Sequence, residues 1–181
     1  MSFKKVEIDN AKLIHFYYPL DDIWAEASEI TAFKASGIRR ADGQAEFDRV
    51  HISKDEKTHL KKYVHKAMLE IFGIMFKVLG EQPIFHDTNV ETDPGDPLAV
   101  PPVDPTVEKC SGAYLDDNET GYRSANLFLI DSKIQDAVVD SVLHRWYWLK
   151  NLGDDSAMHA ARFAKLLVDI QDLTLSLRKP Y

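Results

Sequence analysis

Between Ser53 and Gly80, apolar residues recur every three or four positions: Leu60, Val64, Ala67, Ile71, Ile74 and Val78. That period marks one buried helix face. Ser53 with Glu56 has the spacing of a capping box, and Gly80 is a natural stop. At 1.5 Å per residue the predicted rod is roughly 40 Å long, enough for other helices to pack upon. A second helical pattern opens near Ser132 and Gln135, again at capping-box spacing. It carries Ile134, Val138, Val142 and Leu149 as one stripe. "NLGDD", Asn151 to Asp155, then reads as a tight connection, with Gly153 as stop and Asp155 as the next N-cap. A third helix follows, with Phe163, Leu166, Leu167, Ile170, Leu173 and Leu177 on one face. So short a link makes the second and third helices antiparallel neighbours. Arg178 and Lys179 suit the negative end of the last helix dipole.

The remaining segments have other patterns. "FKKVEI" and "KLIHFYY" read as short strands. Asp21 to Ser36 predicts a helix with Ile23, Ala27 and Ile30 inward, and "RADGQAEFD" a turn-rich loop. "DTNVETDPGDPLAVPPVDP", residues 87–105, carries five prolines and five acidic residues. Proline removes donors and fixes φ, so this segment is an extended arm or linker. After it, "VEKCSGAYLDDNETGYRSANLFLI" predicts two strands around the turn "DDNETG". The expected fold is therefore mainly α. It is an antiparallel helical bundle built on one long helix, with an inserted β-hairpin, short N-terminal strands and an extended proline-rich arm. A length of 181 residues suits a single domain over 1–181, with the arm inside it.

Composition narrows the function classes. The net charge is −7, which argues against gripping nucleic acid by neutralising phosphates. It leaves open a protein that lets DNA pass without sticking, because an acidic wall repels phosphate. The single cysteine, Cys110, makes neither an internal disulfide nor a Cys-rich zinc site, and a reducing compartment is the simple expectation. Glu7, Asp9 and Lys12 interrupt any signal-peptide core, and no apolar run has the length of a bilayer span. These features lead to the expectation of synthesis in the cytoplasm and no membrane partner.

No complete catalytic motif stands out. Asp116, Asn118, Thr120 and Gly121 match the start of a calcium loop, but Leu127 occupies the position of its bidentate acid. A polar turn is the simpler account. None of the seven histidines pairs at the i, i+4 spacing of a helical zinc site. His144 beside Asp140 has the makings of a base held by a carboxylate, but a polar pair on a helix surface is the simpler account. Cys110 in a strand reads as a packed residue rather than a nucleophile. The expectation is a protein with no enzymatic activity, no cofactor and no metal. A small enzyme using His144, and a cellular helical module that binds a partner helix or peptide, are the rival readings.

"AVVDSVLHRWYWLKN", Ala137 to Asn151, is apolar around much of its girth, so it is buried on more than one side. Val142, Trp146 and Leu149 are expected in the bundle core. His144, Arg145, Tyr147 and Trp148 are expected, at least in part, at a subunit contact, since Trp, Tyr and Arg dominate interface energetics. Val90, Leu98, Val100 and Val103 of the arm are too sparse for a core and are expected to dock on another chain.

The chain resembles the head–tail connector (adaptor) proteins of tailed bacteriophages. The residues carrying the resemblance are Ile134, Ala137, Val138, His144, Trp146 and Tyr147 in the penultimate helix. Arg178, Lys179 and Pro180 match the basic, proline-containing tail, and "SKDEKTHLKKYVHKAMLEIF" is similar to the family's first helix. The resemblance covers Ser53 to Val78 and Ser132 to Pro180. The N-terminal fifty residues, the arm and the hairpin depart from smaller family members. The resemblance implies a structural virion protein at the head–tail junction. It implies a homo-oligomeric ring, often twelve-fold in that family, with portal protein and tail or other neck proteins as partners and DNA as passing cargo. Another neck or tail-completion protein is the alternative within the same resemblance.

Overall fold

The computed structural model describes residues 3–8, 11–39, 43, 47–80, 84–87, 110–116 and 124–177. Two strands open the chain, β1 (Phe3–Ile8) and β2 (Ala11–Pro19), followed by α1 (Leu20–Gly37) and a single turn, α2 (Phe47–Val50). A 3-10 turn, Lys54–Glu56, leads into α3 (Lys57–Leu79). Strands β3 (Ile84–Asp87) and β4 (Cys110–Asp116) come next, and the long helices α4 (Ser124–Leu149) and α5 (Gly153–Leu177) end the described chain. The protein is mainly helical.

The four strands form one antiparallel sheet in the order β1-β2-β4-β3. On β2, Ile14, Phe16 and Tyr18 are buried at alternate positions, the period of one sheet face. Phe16 lies 6.0 Å from the Phe72 ring of α3, which ties the sheet to the bundle. The Tyr18 hydroxyl donates to the Asp131 carboxylate on α4 at 2.9 Å, and both side chains are buried.

The start of α3 follows its sequence signals. The Ser53 amide donates to the Glu56 carboxylate at 2.9 Å, the reciprocal half of a capping box. Burial alone would raise the Glu56 carboxyl. The Ser53 amide and the Lys150 ammonium outweigh it and hold the group below its ordinary value. At the far end Gly80 takes φ 74°, the left-handed conformation that closes many helices. Leu60, Val64, Ala67 and Ile71 are fully buried, whereas Ile74 and Val78 are only half-buried.

Several expectations are corrected. The second strand of the expected hairpin does not form: Ser124–Ile130 is the first two turns of α4, and β4 pairs with β2 and β3 instead. Leu127, Ile130, Ile134 and Val138 continue one helical stripe, so burial of that stripe overrides the strand-like look of "NLFLI". Ser132 is therefore interior to the helix and caps nothing. Gly153 is the first residue of α5 rather than a stop. The left-handed residue of this link is Asn151, at φ 58°, a conformation asparagine tolerates. The arm over 87–105 lies outside the described residues, apart from Asp87 at the end of β3.

The core runs through α3, α4 and α5. Leu60, Val64, Ile71, Val142, Phe163 and Ile170 are all buried. Leu167 was expected among them but is half-buried, because it stands at the edge of the buried face of α5. No described helix is long and apolar enough to cross a membrane.

Candidate assembly surface

The C-terminal half of α4 is enclosed on several sides. Val138, Val139, Ser141, Val142, Leu143, Trp146 and Tyr147 are all buried. Trp146 is held by its indole nitrogen, which donates to the Val50 carbonyl at 2.7 Å. Lys150 lies over its ring, 4.2 Å from the centroid, and pairs with Glu56 at 3.2 Å. Arg49 reaches the Lys150 carbonyl at 3.2 Å. These contacts clamp the segment before α3 onto the end of α4.

The four aromatic-stretch residues expected at a contact separate. Trp148 is 70% exposed. Arg145 is half-buried, bonded to the Glu70 carboxylate at 3.0 Å and to the Ser141 hydroxyl. His144 is half-buried against the start of α5, and Tyr147 is buried, its ring stacked on His159 with centroids 5.4 Å apart. Tyr147 therefore belongs to the core. Burial, and then the Asp155 charge, push its hydroxyl up to about 12. Leu149 reverses the other expectation: it is 57% exposed and joins Trp148 outside. It is the last residue of α4. Val90, Leu98, Val100 and Val103 lie outside the described residues.

Asp140 does not pair with His144. Its carboxylate lies 2.5 Å from Nδ1 of His159 on α5. His144 turns to Ser156, with Nδ1 3.0 Å from both the hydroxyl and the carbonyl oxygen. The Ser156 hydroxyl donates to the His144 carbonyl at 3.0 Å. The two carbonyl oxygens accept, and Ser156 and His159 are buried, so this polar seam joins α4 to α5.

An open cleft of about 440 Å³ lies between α1, α4 and α5, lined by Glu26, Lys133, Asp136, Asp140, Arg162 and Lys165 among others. Lys133 pairs there with Asp169 at 3.2 Å. Among the described residues, no three His, Cys, Asp or Glu side chains converge to hold a metal ion. No protein-family model, curated protein or solved structure matches this chain.

The sequence reading missed Met158, Val168 and Leu175 of α5, which are 48%, 56% and 54% exposed. They were hidden behind the stronger stripe that faces the core. A second apolar stripe on the same helix was the available signal.

Proposed function

We propose that this protein is a structural subunit of a phage neck, a head–tail connector that assembles with copies of itself into a ring between portal and tail. The observation that carries the reading is Trp148, 70% exposed beside a 57% exposed Leu149, at the end of the largely buried C-terminal half of α4. A large aromatic left in water at the end of a rigid helix is the kind of anchor that dominates protein contacts. The resemblance of the penultimate and final helices to connector proteins supplies the kind of assembly. The net charge of −7 suits a channel past which DNA slides. The polar seam of His144, Ser156, Asp140 and His159 serves packing in this reading, and the protein carries out no catalysis.

The test is the state of the purified chain, alone and with a portal protein from the same genome, by mass photometry and negative-stain microscopy. Closed rings, or a defined complex on the portal, support the proposal. A monomer in both conditions overturns it.

A further inference from the structure

We infer that the outer face of α5 pairs with the same helix of a second copy, the two running antiparallel about a two-fold axis centred near Val168. This contact does not depend on the neck reading.

The face has a definite period. Ala157, Ala161, Ala164, Val168, Gln171 and Leu175 follow one another at alternating intervals of four and three residues, and all are exposed. That spacing is the seam of a helix pair. The stripe lies opposite the side of α5 that carries His159, Phe163, Ile170 and Leu177 into the core. A helix apolar on two sides is a helix packed on two sides. Val168 and Leu175 are 56% and 54% exposed, so these are large apolar groups left in water rather than small ones alone.

Charge and size point to a second copy as the occupant. Lys165 and Asp172 lie along one edge of the stripe, one heptad apart and of opposite sign, at the positions that set partner choice. In an antiparallel pair, Lys165 of each copy meets Asp172 of the other, giving two matched contacts. A parallel pair would leave the two copies of this edge on opposite flanks of the seam, where Lys165 and Asp172 do not meet. The antiparallel register also brings each Leu175 beside Ala161 of the other copy, a large side chain against a small one. A self-complementary patch of this kind makes an isologous dimer. Ring contacts run head to tail, so this surface is separate from the one at Trp148.

The test uses the full chain in sedimentation velocity across a concentration series, with circular dichroism as a check on folding. Val168→Glu should abolish pairing while leaving the helical signal intact. Lys165→Glu and Asp172→Lys should each weaken it at least about tenfold, and the double variant should recover to within about threefold of the parent, as expected for a direct charge contact. Trp148→Ala should leave the pairing unchanged. Dimers without rings would sink the neck reading and leave this inference standing. Rings whose mass is unchanged by Val168→Glu, or a charge swap that fails to rescue, would overturn this inference and leave the neck reading standing.

Discussion

Trp146 and Trp148 stand two positions apart on α4, with Trp146 3% and Trp148 70% exposed. Two residues of helix turn the side chain by roughly 200°, so one indole enters the core as the other leaves it. The Trp146→Ala variant should lose about 3–5 kcal/mol of stability, the cost of a buried aromatic, with the Val50 carbonyl left short of a donor. Trp148→Ala should stay within about 0.5 kcal/mol of the parent, as surface changes do, and should fail to form rings. Urea unfolding and light scattering separate the two effects. Equal destabilisation would place both residues in the core and move the interface elsewhere.

The two apolar edges of α5 should also differ. Ile170 is fully buried, so Ile170→Ala should cost about 2–5 kcal/mol. Leu167 is half-buried, and Leu167→Ala should cost about 1 kcal/mol, the lower yield of partial burial. Chemical denaturation of both variants measures the difference. A Leu167 cost equal to that of Ile170 would mean that another chain already covers that edge.

Much of the bundle was legible because its signals were local. Ser53 and Glu56 mark the start of the long helix, and Gly80 ends it, since caps depend on residues a few positions apart. The stripe from Leu60 to Ile71 needed only a helical period. What failed depended on distant partners. "NLFLI" reads as a strand until Leu127 and Ile130 are buried in the bundle core. Asp140 chose His159 over His144 because α5 runs beside α4, and no spacing within α4 reveals that. At the candidate assembly surface, Trp148 is exposed. Tyr147 is buried because α5 lies against it and stacks His159 on its ring, a contact that no spacing within α4 reveals.

Alkaline pH should unfold the protein through two tyrosines. Burial first, then the charge and hydrogen bond of Asp131, push the Tyr18 hydroxyl well above its ordinary value. Burial, and then Asp155, push Tyr147 up to about 12. The fold favours the neutral phenol in both, so their contribution is complete below about pH 10, the unfolded value. For Tyr147 it is lost as pH rises from there toward about 12, and for Tyr18 as pH rises well above the ordinary value. Tyrosinate absorbance should show Tyr18 and Tyr147 ionising late, together with loss of helical signal. If no tyrosine ionises late and the helices stay intact, the burial of Tyr18 and Tyr147 is wrong. Tyr18→Phe removes one donor to Asp131 and should cost about 1–3 kcal/mol.

The acid side should depend on Glu56. Its carboxyl is held below the ordinary value by the Ser53 amide and Lys150 against the opposing effect of burial. Stability from this group is present above about pH 4, the unfolded value, and is lost as pH falls through the lower folded value. Glu56→Gln keeps an acceptor for the Ser53 amide but removes the charge beside Lys150, so it should cost less than about 1 kcal/mol at neutral pH and should flatten the acid limb of the stability profile. An unchanged acid limb in thermal melts across pH would show that the cap and the Lys150 contact contribute nothing.

Strand register makes the proline-rich segment replaceable. Asp87 pairs with Ser111, so β3 and β4 are antiparallel neighbours whose facing ends the segment joins. Antiparallel strands need only a short turn between them. Replacing residues 89–108 with a short Asn-Gly turn should therefore keep the sheet and the bundle. Circular dichroism should match the parent, and the melting temperature should not fall, because shortening a loop lowers the entropy cost of closing it. Val90, Leu98, Val100 and Val103 leave with the segment. If they dock on a neighbouring copy, assembly seen by light scattering should drop while the chain stays folded. Unfolding of the shortened chain would mean that the segment packs on its own subunit, and unchanged assembly would remove it from the contact between copies.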